Sequence, residues 1–280
     1  MLPQSHKPLR GLRFLLTDSC NLRCTFCHNE FQGDVVAGHP HQWDYSLVRR
    51  LMVELSVHAG VRVKFSGGEP LLRFNELVSL LHVTDGLRAA DVTVFTNLTL
   101  GTQARLAYLH SLGVARINAN LPSFRSEVFA SRTGRRRSQL ALVLKNARIA
   151  RSLGLRIQFN LVMPMFPDDS TLQEFLEVEL REGLKQADAW DAISLVADDW
   201  LAAPASVRES IVSCLADRPD AIGPTHGRLA RSYEFSWAGK QLLATRCTDW
   251  SMPEDVAEAD IYVVPPGRVL SAFVRGQAYR

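Results

Sequence analysis

The chain has 280 residues, of which 46% are hydrophobic and 22% charged, and its formal net charge is +3. This is an ordinary globular composition, and it suits one barrel-sized domain with or without a small appendage. Charges of both signs are interspersed, which argues against a nucleic acid or an anionic membrane surface as partner, and no apolar run approaches a membrane span. Residues 1–11 lack the apolar core of a signal peptide, and three of the five cysteines are bunched, so we expect a cytoplasmic protein in a reducing compartment.

Short β-branched runs alternate with amphipathic segments along the first three quarters of the chain, a pattern typical of βα units and a parallel sheet. We predict strands at 12–17, 61–65, 92–95, 115–121, 156–162 and 192–196. Helices are expected at 45–58, 74–82, 103–112, 138–153, 170–182 and 207–216. These are six βα units rather than the eight of a closed barrel, so the fold class is α/β with a partial (β/α)6 barrel of the TIM type.

The pattern changes from about residue 218. Runs at 233–237 and 241–245 flank Ala-Gly-Lys, and runs at 261–264 and 268–274 flank Pro-Pro-Gly, which are hairpin signals. We therefore predict a core at 1–217 and a small β-rich C-terminal extension at 218–280.

The motif around which the chain is organised is Cys20, Cys24 and Cys27, spaced C-x3-C-x2-C directly after the first strand. Soft thiolates grouped in this way select zinc or an iron–sulfur cluster. Zinc and an ordinary cubane both use four protein ligands, so three cysteines leave one iron of a cubane open to a substrate or cofactor. The alternative is a zinc knuckle with His28 as fourth ligand, although adjacent residues chelate one tetrahedral ion poorly.

Polar residues follow the ends of the predicted strands, where barrels of βα units carry their functional side chains. After the second strand, the segment Gly67-Gly68-Glu69-Pro70 provides glycines that permit positive φ and a close approach of the main chain to a ligand. The other polar positions at this rim are Thr96, Asn97, Asn120, Asn160, Asp198 and Asp199.

The cysteine motif, with the aromatic Phe26 before its last member, resembles the signature of the radical S-adenosylmethionine (radical SAM) superfamily. Residues 10–165 resemble its MoaA-like branch, on the strength of 12–24, 67–73, Thr96-Asn97 and Thr133-Gly134-Arg135. The resemblance implies a [4Fe–4S] cluster on Cys20, Cys24 and Cys27, SAM bound to the open iron, and an electron donor such as flavodoxin or ferredoxin. It also implies reductive cleavage of SAM to a 5′-deoxyadenosyl radical that abstracts a hydrogen atom from a substrate.

The same resemblance assigns roles by position. The residues that would contact SAM are Phe26, Gly67, Gly68, Glu69, Thr96, Asn97, Asn120 (where a serine is usual) and Val196 (where a methionine is usual). Arg13 and Lys64 match positions that hold anionic substrate groups. The further candidates for substrate contact are Arg135, Gln158, Asn160 and Asp198. We interpret the neighbouring Arg132, Arg136 and Arg137 as a solvated charge run at the start of a helix.

Two departures from the branch shape the prediction of function. Gln158 stands where the family has a substrate-binding lysine, and Cys247 stands alone where the MoaA namesake needs three cysteines for a second cluster. We therefore expect an enzyme other than the namesake GTP cyclase. Its substrate would be a small polar metabolite (a nucleotide, sugar or amino acid) in natural-product or cofactor biosynthesis. The alternatives are radical SAM modification of a peptide or protein, and a non-catalytic iron–sulfur or zinc protein. We interpret Cys214 as a packing residue, and the role of Cys247 stays open.

Overall fold

A computed structural model describes residues 11–27, 42–55, 62–84, 91–164, 169–197, 221–226, 232–237, 240–245, 260–264 and 268–270. The candidates outside these ranges are His28, Asp198, Asp199, Cys214 and Cys247, together with the predicted helix at 207–216.

Six strands alternate with helices, as the hydrophobic pattern predicts. The strands are β1 (Gly11–Leu15), β2 (Arg62–Ser66), β3 (Asp91–Thr96), β4 (Arg116–Leu121), β5 (Arg156–Met163) and β6 (Ala192–Ala197). The helices are α1 (Tyr45–Leu55), α2 (Phe74–Thr84), α3 (Gln103–Ser111), α4 (Ser126–Thr133), α5 (Ser138–Ser152) and α6 (Asp169–Lys185). A 3₁₀ turn, Pro70–Arg73, leads into α2.

Helix α4 is absent from the sequence prediction, in which Arg132, Arg136 and Arg137 are a solvated charge run at the start of the next helix. The helix ends at Thr133 because Gly134 adopts a left-handed conformation with φ of 65°, a common way to terminate a helix. The Thr133-Gly134-Arg135 segment is therefore a helix cap, and Arg132 belongs to the last turn of α4.

The C-terminal strands join the same sheet at both of its sides. They are β7 (Ala221–His226), β8 (Ser232–Trp237), β9 (Lys240–Thr245), β10 (Asp260–Val264) and β11 (Arg268–Leu270). The strand order is β11-β10-β1-β2-β3-β4-β5-β6-β9-β8-β7. Strands β10 and β9 run parallel to β1 and β6, respectively. The antiparallel pairs β8–β9 and β10–β11 confirm both predicted hairpins. The domain boundary at residue 217 stays a prediction.

Alternation along the strands gives the sheet two different faces. The outer face packs against the helices through buried apolar side chains such as Phe14, Phe65, Ile117, Phe159 and Ile193. The opposite face, which we call the inner face, carries the alternate positions of each strand. In β1–β6 its charged members are Arg13, Arg62, Lys64, Asp91, Arg116 and Arg156. Within the described part of the chain, no helix is both long enough and apolar enough to cross a membrane.

Candidate active site

The cysteine loop is attached to the glycine-rich segment by its main chain. Gly68 N–H donates to Thr17 O at 2.6 Å, and Glu69 N–H donates to Ser19 O at 2.8 Å, one residue before Cys20. Gly67 has a φ of 130°, which only glycine adopts readily. A Cβ atom on Gly68 would lie 2.2 Å from Ser19 O, so glycine is needed for this close approach. Both predicted glycines therefore shape the base of the cysteine loop.

The Glu69 carboxylate joins the end of β2 to the end of β3. It accepts hydrogen bonds from Leu71 N–H (2.9 Å), Thr96 Oγ1 (2.6 Å) and Asn97 N–H (2.7 Å), and it is fully buried. Burial raises the pKa of Glu69, and the three donated hydrogen bonds oppose that shift. The side chain therefore acts as a structural link between β2 and β3, and whether Glu69 also contacts SAM stays a prediction.

Asn97 extends this link to the first cysteine. Its Nδ2 lies 2.7 Å from Asn21 Oδ1 and 3.8 Å from Cys20 Sγ, within the range of a hydrogen bond to sulfur. Its Oδ1 accepts from the hydroxyl of Thr99 at 2.6 Å, and that hydroxyl oxygen accepts from Asn21 Nδ2 at 2.8 Å. The side chain of Asn97 therefore holds the cysteine loop at the end of β3, and Thr96 contributes through its hydrogen bond to Glu69.

The three cysteines carry thiols, with Cys20 and Cys27 exposed and Cys24 half-buried. Burial and the neighbouring Cys27 and Cys20 sulfurs raise the pKa of Cys24 to about 12, an effect that the Arg132 guanidinium opposes. A bound metal deprotonates such a thiol and neutralises the mutual repulsion. In the described ranges, no three His, Cys, Asp or Glu side chains converge closely enough to share one metal ion. Three soft thiols in one loop are a donor set that suits a [4Fe–4S] cluster, in which each thiolate bonds a different iron.

Helix α4 supports the cysteine loop from the other side. Main-chain hydrogen bonds join Arg23 N–H to Thr133 O at 3.0 Å and Thr25 N–H to Arg132 O at 2.9 Å. The Arg132 side chain is buried, donates to the carbonyls of Pro122 and Val162, and lies 4.8 Å from the centre of the Phe26 ring. The interpretation of Arg132 as part of a solvated charge run is therefore wrong.

Arg135 and Arg137 lie at the surface beside this contact. The Arg135 guanidinium donates to the main-chain carbonyl of Asn21 in the cysteine loop, so it contacts the protein itself. Arg137 is exposed and pairs with Glu127, as expected for a solvated charge. Whether Arg135 also meets substrate stays a prediction.

The predicted substrate positions on the strands share the inner face. The Arg13 guanidinium lies 4.7 Å from the centre of the Phe95 ring, and Lys64 is half-buried beside it in the sheet. Asn160 Nδ2 donates to Asn120 Oδ1 at 3.1 Å. Val196 lies in β6, in register with Val162 of β5. By the alternation of the strands, these positions belong to the inner face.

Gln158 of β5 stands where the resemblance places a lysine, and a cation of the neighbouring strand β4 lies next to it. Arg116 Nη1 donates to Gln158 Oε1 at 3.2 Å, and Arg116 Nη2 donates to Asp91 at 3.1 Å. Arg156 also pairs with Asp91, at 3.4 Å. The inner face of β1–β6 thus retains a strong excess of positive charge.

The chain forms a partial parallel barrel, and three thiols and a glycine-rich turn lie at the ends of its strands. These features together define an iron–sulfur protein with a ligand site at the rim. The family model described as the Radical SAM superfamily matches residues 14–178, and the chain belongs to that superfamily. Membership in the superfamily implies a [4Fe–4S] cluster and SAM.

Among its relatives is a probable GTP 3′,8-cyclase of Aeropyrum pernix, 33% identical over 166 residues that make up 56% of this chain and 44% of the relative. A GTP 3′,8-cyclase 2 of Pseudomonas aeruginosa is 31% identical over 79% of this chain and 65% of its own length. The chain thus spans about half the length of the first of these relatives and two thirds of the second.

Solved structures share the fold at low identity. Streptococcus suis SuiB bound to S-adenosylmethionine superimposes with a TM-score of 0.66 at 14% identity, covering 95% of this chain and 60% of SuiB. Methylornithine synthase (PylB) gives 0.52 at 14% identity, covering 69% and 54% of the two chains. The fold class inferred from the sequence is confirmed.

Asn21, Thr99 and the role of Arg132 are absent from the sequence prediction. A helix signal for α4 is present, since an acidic residue in the first turn and a glycine directly after the last turn bracket 126–133. The side-chain network around Asn97 has no such signal, because its members are 76 residues apart in the chain.

Proposed function

We propose that this chain is a radical SAM enzyme that acts on a small, anionic, polar metabolite. The supporting observation is the junction of three elements at one rim: the loop of Cys20, Cys24 and Cys27, the turn at Gly68, and the end of β3 at Asn97. The inner face leads from that junction and carries the excess of cations.

When bound, the reduced cluster and SAM supply a 5′-deoxyadenosyl radical that abstracts a hydrogen atom from the substrate. The chain's own residues perform the remaining tasks. The three thiolates hold the cluster, the glycine-rich segment and Asn97 fix the loop that carries it, and Asn120 lies at the strand end from which SAM would be contacted. Arg13 and Lys64 would orient an anionic group toward the rim, because both lie on the inner face that begins below it.

The first experiment tests the cofactor set. The purified chain is reconstituted anaerobically, and iron, sulfide and zinc are measured; we expect about four irons and four sulfides per chain. Cys20→Ala, Cys24→Ala and Cys27→Ala should each lose most of the iron, whereas Cys214→Ala should keep it. One zinc per chain with no iron would support a binding protein instead.

The second experiment tests the reaction. Reduced holoprotein with SAM should form 5′-deoxyadenosine, and a deuterated substrate should transfer its label to that product. Lys64→Met should weaken the binding of phosphorylated or carboxylated metabolites while the substrate-independent cleavage of SAM continues. Deuterium transfer only from a peptide would establish the alternative, modification of a peptide or protein.

A further inference from the structure

Two buried polar atoms of β4 have no hydrogen-bond partner among the described residues: Asn118 Oδ1 and Arg116 Nε. Asn118 is 8% exposed, so its amide is more than nine-tenths buried. An unsatisfied buried acceptor is costly, and native proteins keep few of them. Binding of a ligand is one way in which both atoms would gain a hydrogen-bond partner.

Asn118 and Arg116 lie two positions apart on the inner face of one strand, at a Cα spacing of about 6.6 Å. Asn118 is in register with Phe95 of β3 and with Gln158 of β5. The terminal nitrogens of Arg116 are held by Gln158 and Asp91, and its Nε–H is a donor without a partner among the described residues, two positions along the same strand face from the Asn118 acceptor.

An acceptor next to a donor is the complement of an amide, which presents an N–H and a C=O side by side. We propose that Asn118 and Arg116 form a subsite for an amide-type group of the substrate, such as the edge of a nucleobase, a lactam or an acylamino group. In this subsite Asn118 Oδ1 accepts from the ligand N–H, and Arg116 Nε–H donates to the ligand carbonyl. The inference rests on the proposed function and refines it: the substrate carries an amide as well as an anionic group.

A ligand reaches these atoms when a neighbouring side chain moves, because both are closed to solvent. The Arg13 guanidinium lies over the ring of Phe95, the register partner of Asn118, and Arg13 is the side chain to which we assign this movement. A substrate anion that draws the Arg13 guanidinium toward itself would thereby open the subsite. Recognition of the anion and of the amide would be coupled in this way.

The first test is the effect of the same substitution at two buried asparagines of the full-length holoprotein. Asn118→Leu removes an unsatisfied acceptor with little change of shape, and Tm should rise by about 2–4 °C. Asn146 has a satisfied amide, whose Nδ2 donates to Leu98 O at 2.9 Å, so Asn146→Leu should lower Tm by a similar amount. A fall of Tm in Asn118→Leu would mean that a structural partner satisfies Asn118, and would overturn the proposal.

The second test uses ligand pairs that differ in one donor. The pairs are uridine 5′-monophosphate and its N3-methyl derivative, inosine 5′-monophosphate and its N1-methyl derivative, and N-acetylglucosamine 6-phosphate and the corresponding acetate ester. In at least one pair the wild-type protein should bind the N–H form about tenfold more tightly by calorimetry, and Asn118→Leu should abolish the difference. No preference in any pair, or a preference that survives Asn118→Leu, would overturn the proposal.

These readouts separate this proposal from the proposed function. Binding and Tm do not depend on the cleavage of SAM, so a protein that prefers the N–H ligand but forms no 5′-deoxyadenosine would retain the subsite and lose the enzymatic assignment. A protein that forms 5′-deoxyadenosine without any N–H preference would retain the enzyme and lose the subsite.

Discussion

Gly68 controls the distance between the glycine-rich turn and the cysteine loop. Its position leaves no room for a side chain, since an added Cβ would lie 2.2 Å from the oxygen and 2.6 Å from the carbonyl carbon of Ser19. Both are main-chain atoms next to Cys20, so relief requires the loop itself to move. A side chain at residue 68 would therefore displace Cys20, the first cysteine of the motif.

Gly68→Ala should therefore lose most of its bound iron, measured after anaerobic reconstitution. Gly113→Ala is the matched control: no atom lies within 4 Å of the added Cβ, and its φ of 85° costs only local strain of about 1 kcal/mol. The control should lower the free energy of unfolding but keep its iron. Equal iron content in the two variants would contradict the role given to Gly68.

Arg132 joins α4 to the cysteine loop through a buried guanidinium. Arg132→Met removes its hydrogen bonds to Pro122 O and Val162 O and its contact with Phe26, and should lower the free energy of unfolding by about 2 kcal/mol. The matched variant Arg137→Met changes an exposed arginine of the same run and should stay within about 0.5 kcal/mol of wild type. Thermal denaturation of both variants measures the difference in stability. Equal effects would contradict the buried role of Arg132 and support its interpretation as a solvated charge.

At the scale of elements, a buried carboxylate of α6 fixes the connection between β4 and α4. Glu179 is fully buried and accepts from Ser123 Oγ, Phe124 N–H and Arg125 Nε, each at 2.7 Å. This connection leads directly to the helix that carries Arg132. The position of α4 under the cysteine loop thus depends on a contact made by a helix much later in the chain.

Glu179→Gln replaces one acceptor oxygen by a donor that faces other donors, so the free energy of unfolding should fall by about 2 kcal/mol. Glu174→Gln, at an exposed position of the same helix, should change it by less than about 0.5 kcal/mol. Denaturant titration measures both. A Glu179→Gln variant as stable as wild type would show that the connection does not depend on this carboxylate.

At the scale of the whole molecule, the C-terminal strands cover both sides of the six-stranded core. Strand β10 pairs with β1, and β9 pairs with β6. Without them, β1 and β6 become open edges that present unpaired main-chain groups to other chains. The predicted boundary at residue 217 is therefore open to a direct test.

We expect a chain truncated after residue 217 to aggregate and to lose amide-exchange protection in β1 and β6, where the full-length chain is protected. Size-exclusion chromatography and hydrogen exchange on both chains measure this. A soluble, monomeric truncated chain with normal iron content would instead establish 1–217 as an independent domain.

Much of the candidate site could be predicted because its signals are local in sequence. The cysteine spacing, the paired glycines before Glu69, and the polar residues at strand ends follow from neighbouring residues, and β1–β6 agree with the predicted strands to within two residues. The buried state of Arg132 could not be predicted this way. Its burial depends on carbonyls 10 and 30 residues distant, and an arginine in a basic run is exposed far more often than buried.

The sequence by itself determined the βα alternation, the grouping of the three cysteines and the position of the glycine-rich turn, because each rests on periodicity or spacing over a few residues. Only the tertiary structure decided that the C-terminal strands border both sides of the six-stranded core, that Glu69 is fully buried, and that Asn118 Oδ1 and Arg116 Nε find no hydrogen-bond partner among the described residues. The physical reason is that hydrogen-bond satisfaction is set by groups that meet only when distant strands come into register.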